Sequence, residues 1–224
     1  MIIFYEREIF LMRTYGVNSA RIAVLGNDEK VDKNGFGKFT TGVQNGVFTA
    51  DATTSMGVTA GDITGLAPTS TRVYGSDMIV EVSHQGTGSV SVTLGVNDLP
   101  VEVIHAISGF TLTPEGFAVL GAKSHAPYAA LELTSHNRAH QLLHFALVKG
   151  IFSPEVHNLQ TNNESVQAQP DSLTFAAVNR ASDGAVYLEA TEDDKWSTNS
   201  AAWDNLIFPA SASVASPQTS IPGK

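Results

Sequence analysis

The sequence predicts a mainly β chain, a β-sandwich or partial barrel with one short flanking α-helix at about residues 98–108. Three observations carry that prediction. β-Branched runs recur about every ten residues between Gly, Ser and Thr, which is the spacing of short strands in all-β sandwiches and barrels. Residues 78–96 and 127–152 alternate apolar with polar side chains, so the strands there have two faces of different character. Leu99, Val103, Ala106 and Ile107 recur instead at helical spacing.

At the N-terminus, residues 1–12 (MIIFYEREIFLM) are apolar at both ends and broken by Glu6, Arg7 and Glu8. They lack the basic start and continuous apolar run of a signal peptide. Because a normal strand pattern begins after Met12, the first eleven residues read as an upstream start-codon extension, with the true start at Met1 or Met12; the other reading is an ordered edge strand. Residues 1–16 are therefore set apart as an N-terminal extension from a β domain over 17–208. Residues 20–25 form a first strand. Residues 27–39 are charged and Gly-rich, a turn or long loop, and 42–67 continue in short extended pieces broken by Gly46, Gly57, Gly61 and Gly65. So long and weakly patterned a stretch reads as a mobile arm in preference to a segment ordered by a partner.

Residues 78–96 read as a hairpin, with Val90, Val92, Leu94 and Val96 on one face, Ser89, Ser91 and Thr93 on the other, and Gln85-Gly86-Thr87-Gly88 as its turn. In the helix that follows, Asp98 is placed to cap, Pro100 sits in the first turn, Glu102 favours the positive end of the dipole, and Gly109 ends the helix in a left-handed conformation. Extended character returns at 117–120, 127–134, 141–152, 173–178 and 185–190. Ser135-His136-Asn137-Arg138 is the turn of a second hairpin, and Asp183-Gly184 precedes the last strand. Residues 192–203 are polar and hold both Trp side chains. Residues 209–224, rich in Ser and Pro without alternation, read as a disordered tail.

A chain of 224 residues with 42% apolar content can bury a single core. Its 22 acidic against 13 basic side chains leave a net charge of −9, which argues against wrapping phosphate backbones. The absence of cysteine removes disulfides and thiolate metal sites. No run approaches the roughly 20 apolar residues of a membrane span.

His136, His140 and His144 are spaced four apart, as zinc ligands on a helix would be. Yet no Glu general base lies between them, and in a strand His140 and His144 stand roughly 13 Å apart at about 3.3 Å per residue. They read as surface or hairpin histidines, and His84, His105, His125 and His157 form no cluster with them. Glu192-Asp193-Asp194 lacks the ligand spacing and central Gly of a calcium loop and reads as a solvated turn. There is no Gly-x-Ser-x-Gly elbow and no Gly-Lys-Ser/Thr cradle. Paired carboxylates from distant strands stay open, but nothing in the sequence points to them. The expectation is a chain that is not an enzyme, with no catalytic, cofactor-binding or metal residues. Trp196 and Trp203 could form a sugar-stacking platform, which makes a carbohydrate-binding β-sandwich module the alternative, although packing is the more economical use of both.

Four stretches resemble the major tail proteins (tail tube proteins) of long non-contractile-tailed phages of the Gram-positive type. Tyr74-Gly75-Ser76-Asp77 before a Val-rich strand looks like the family's lead into its first central hairpin. Residues 94–109 resemble its strand, "DLP" turn and short helix ending in Gly. Ala126-Pro127-Tyr128-Ala129-Ala130-Leu131 and Leu147-Val148-Lys149-Gly150-Ile151-Phe152 with Pro154 resemble a strand and its exit, and residues 161–175 the polar extension and next strand. The likeness covers most of residues 17–208.

What this resemblance implies is a structural virion protein with the sandwich or partial barrel of the tail-tube type. Six copies would close into a ring, and stacked rings would form a hollow conduit for DNA ejection around a tape-measure protein. Its partners would be itself, the tape-measure, tail-tip and tail-terminator proteins, and DNA only in transit, with no membrane; it would sit in the virion tail, and in the host cytoplasm during assembly. The tube protein of a contractile or secretion system is the related alternative. On this reading the hairpin 78–96 and strands 127–134 and 141–149 close the ring and line the bore, while 27–67 and 159–169 order on ring stacking. Six chains at −9 each give about −54, so the bore is expected to be acidic.

Overall fold

Alternating β-branched and aromatic side chains set the architecture, because each strand they form has an apolar face to bury. The structure, a computed structural model, describes residues 14–68, 70–83, 86–154, 170–193 and 196–210. Its strands are β1 (Val17–Val24), β2 (Val43–Gln44), β3 (Val47–Ala50), β4 (Val58–Thr64), β5 (Thr71–Gly75), β6 (Met78–Ser83) and β7 (Ser91–Val96). Helix α1 (Val101–Ser108) follows, then β8 (Thr111–Leu112), β9 (Ala118–Val119), β10 (Tyr128–His136), β11 (Leu142–Pro154), β12 (Asp171–Ala177), β13 (Tyr187–Thr191) and helix α2 (Trp196–Ile207).

Nine strands form one antiparallel sheet in the order β2-β3-β1-β10-β11-β12-β7-β4. The ninth, β13, pairs with β11 over Leu143↔Thr191 to Leu147↔Tyr187, whereas β12 takes the other half of β11 from Gly150↔Ala177 to Pro154↔Leu173. The thirteen-residue β11 is thus the spine of the sheet. At the far end, β4 comes back against β1, and a Cβ on Gly61 would lie 2.8 Å from Leu133 Cδ1, so a side chain there would hold the two layers apart. The sheet is therefore a partial barrel that does not close. Hairpins β5–β6 and β8–β9 stand as separate two-stranded sheets.

The concave face buries Ile22, Phe48, Val92, Leu94, Leu131, Phe152 and Phe175, with Val103 and Ile107 of α1 closing one side. Truncating any one of these large side chains to Ala should cost about 2–5 kcal/mol. Gly109 ends α1 at φ 75°, in the left-handed conformation expected from the sequence. The start differs from expectation. Pro100 occupies the N-cap without a side-chain hydrogen bond, and Asp98 does not cap; a residue before proline is held out of the helical region, so Leu99 cannot join the first turn. The Leu99 amide donates instead to Asp171 Oδ2 at 2.9 Å.

Four further expectations are corrected. Residues 78–96 are not a hairpin: β6 pairs with β5, while β7 lies between β12 and β4. Alternation identified β7, whose Val92, Leu94 and Val96 are fully buried, but it names a strand's face and not its partner. Residues 27–67 are not an arm. Val31 and Phe36 are buried, and β2, β3 and β4 are strands of the large sheet, anchored by long-range pairing that local pattern does not register.

The convex face of β10 is covered as well. Ala23, Ala130 and Ala146 form a floor of small side chains on which Trp203 and Ile207 of α2 and the following Phe208 pack. Residues 192–203, given no element from sequence, supply the start of that helix. The β10–β11 turn also lies later than expected, at residues 137–141, where the Asn137 amide donates to Gln141 O and Asn137 Oδ1 accepts from the Ala139 and Gln141 amides. The extension 1–16 up to residue 13, the segment 159–169 and the tail beyond 210 lie outside the described residues.

Candidate assembly surface

Hairpin β5–β6 turns through Ser76 and Asp77, whose φ values of 51° and 62° both lie in the left-handed region. Two successive positive φ angles are what a tight two-residue hairpin turn requires. The Tyr74-Gly75-Ser76-Asp77 motif therefore is the turn of a hairpin and does not merely lead into one. Register runs from Gly75↔Met78 to Thr71↔Ser83, with a bulge at the Val73/Tyr74 step.

Nothing among the described residues covers this hairpin. Met78 is 68% exposed, Val80 and Tyr74 64% each, and Val73, Ile79 and Val82 are exposed as well. Because neighbouring strand residues point to opposite faces, Met78 and Ile79 make both faces apolar. Soluble monomers rarely leave so continuous an apolar surface uncovered, and unpaired strand edges invite another strand. The β8–β9 hairpin repeats the pattern on a smaller scale, with Leu112, Phe117, Val119 and Leu120 exposed. Two edges of the large sheet are free among the described residues: β2 pairs only with β3, and β4 only with β7. Between β4 and the ends of β1 and β10 lies an open cleft of about 490 Å³.

The convex face holds the most concentrated polar chemistry. Glu132 is fully buried on β10, where alternation alone would have placed it in water. Its Oε1 accepts from Trp203 Nε1 at 2.7 Å and lies 3.0 Å from His144 Nδ1; Oε2 makes no hydrogen bond but sits 3.1 Å from Arg21 Nη1. Burial pushes the Glu132 pKa up, yet the His144 hydrogen bond, the Arg21 charge and the Trp203 bond outweigh it, leaving the carboxyl below its ordinary range. Arg21 continues to Asp204 at 2.7 Å, and His144 Nε2 lies 3.3 Å from Glu192 Oε1. The cluster thus joins β1, β10, β11 and α2 through hydrogen bonds and ion pairs.

This arrangement settles where the singled-out residues stand. His144 lies on the β10–β11 hairpin, opposite Thr134, and is buried in the polar cluster and not at the surface. His136 and His140 stack on each other at 6.0 Å near the β10–β11 turn. No group of three His, Asp or Glu side chains able to hold a metal ion occurs among the described residues. Glu192 belongs to the His144 contact and is not simply a solvated turn residue, and Asp194 lies outside the described residues. Trp203 is buried and Trp196 stacks on the His144 ring at 4.5 Å, so both serve packing. Sequence reasoning missed Glu132 and Arg21; a charged residue facing the same side as Ala130 was the available signal.

The strongest surface feature is therefore an apolar hairpin beside an open sheet. Residues 12–212 of the chain match the family model described as phage tail tube protein. No curated protein matches the chain.

Proposed function

The chain belongs to the phage tail tube protein family, and from that premise we propose that six copies close into a ring and that rings stack into the conduit of a long non-contractile tail. Family membership makes it a structural component of the virion tail that assembles with itself and with other tail proteins. No helix of the described residues is long and apolar enough to cross a membrane.

The observation that carries the reading is the β5–β6 hairpin, apolar on both faces and unpaired on both outer edges among the described residues. In a closed ring such a hairpin lies between neighbouring subunits, which removes its apolar faces and its edges from water together. β10 and β11, buried on both faces here, then serve as the rigid body behind the interface and not as the wall of the bore. Contacts between rings are assigned to residues 27–67 and 159–169, and the tape-measure, tail-tip and tail-terminator proteins are the other partners.

The chain performs no chemistry on DNA. A net charge of −9 per chain keeps the passing phosphate backbone from adhering. Negative-stain microscopy of the concentrated protein, with and without isolated tail tips as nuclei, is expected to show sixfold rings or tubes with an axial hole. Monodisperse single subunits under both conditions would overturn the proposal.

A further inference from the structure

His144 is a buried titratable group that ring formation does not use. Its ring, on β11, has a carboxylate oxygen opposite each nitrogen: Glu132 Oε1 lies 3.0 Å from Nδ1, and Glu192 Oε1 lies 3.3 Å from Nε2. A carboxylate only accepts, and a neutral imidazole carries a single N–H. The neutral ring therefore satisfies one of these contacts and turns a lone pair towards the other. Both are hydrogen bonds only when the ring carries two protons.

The groups around the ring suit that cation. Glu132 comes from β10, and its carboxyl is held below the ordinary range, so it stays an acceptor near neutrality. From β1, Arg21 faces the second Glu132 oxygen, and Asp204 of α2 lies beyond it. With the imidazolium, two cations thus stand among three carboxylates, those of Glu132, Glu192 and Asp204. Trp196 of α2 stacks on the ring at 4.5 Å, and Trp203 meets it edge-on. An indole face attracts a cation more strongly than a neutral ring.

What the ring holds is one end of a helix. Glu192 follows β13 and Trp196 opens α2, whereas the far end of α2 is fixed by other means. There Trp203 and Ile207 are buried, and Arg180 Nη1 donates to Leu206 O. Loss of one ring proton removes the Glu192 bond and weakens the Trp196 stack together. Glu132 keeps Arg21, Trp203 and the remaining Nδ1–H.

We propose that His144 is a proton-operated latch for the start of α2. With both ring nitrogens protonated it clamps Glu192 and Trp196 onto the convex face; with the ring neutral, that end of the helix is released while the Trp203 and Ile207 end stays docked. The device lies within one subunit and does not depend on ring formation.

An NMR titration of the full chain from about pH 5.5 to about pH 9 tests it, read at the His144 ring nitrogens and the Trp196 indole N–H, beside acrylamide quenching of tryptophan fluorescence. Both ring nitrogens are expected to be protonated at the acid end. The Trp196 indole should shift with the same midpoint as the ring while the Ile207 amide stays in place, and quenching should rise about twofold over the same range. In Glu192→Gln, whose amide can donate to a neutral ring or accept from a charged one, quenching should stay level. A ring that keeps one protonation state throughout, a ring that loses its proton without moving Trp196, or a variant with the wild-type rise overturns the inference. If Glu192→Gln does not fold, the wild-type titration decides alone.

Discussion

Glu132 illustrates how one side chain can set the terms of a whole face. A buried carboxylate is tolerated only when paired, and here His144, Trp203 and Arg21 supply the partners. Removing it leaves His144 and Trp203 without their shared acceptor and Arg21 without its buried counter-charge, so Glu132→Ala is expected to lower unfolding stability by about 3–5 kcal/mol, and Glu132→Gln by less. Urea unfolding checks both. The pH sign follows from the depressed carboxyl pKa: the contribution is complete above the ordinary carboxylate value and is lost as pH falls through and below it. Wild-type stability should therefore drop between pH 5 and pH 3 more steeply than that of Glu132→Gln; equal slopes would show that the cluster does not hold the charge.

At the scale of elements, α1 depends on its left-handed stop. A Cβ on Gly109 would lie 2.3 Å from His125 O, and φ 75° adds about 1–2 kcal/mol for any L side chain. Gly109→Ala should destabilise by at least that amount in thermal or urea unfolding, and an unchanged midpoint would contradict the assigned cap. This helix was legible in the sequence because Val103 and Ile107 recur at helical spacing between Pro100 and Gly109. Helix α2 was not, since only Trp203 and Ile207 along it are buried and its seat is fixed by Glu132 on a distant strand. Strand β7 was legible from its alternation, but its neighbours were not, because β4 and β12 are brought to it by topology and not by local turns. The hairpin turn at Ser76-Asp77 escaped for a third reason: neither residue is the glycine or asparagine that usually marks positive φ.

On the scale of the whole molecule, an open sheet and an uncovered hairpin coexist with a net charge of −9. Like-charged subunits repel, and at 1 M salt the screening length falls to about 3 Å, so added salt should promote assembly if apolar burial drives it. Sedimentation across salt concentrations checks this; assemblies that dissociate as salt rises would indicate an interface held by ion pairs. The most direct measurement is negative-stain microscopy of Met78→Lys/Val80→Lys beside wild type at matched concentration, with thermal melts of both. Since both side chains are exposed, the variant is expected to melt with wild type to within about 0.5 kcal/mol, yet to form no tubes where wild type does. Tubes of unchanged length from the variant would contradict the account.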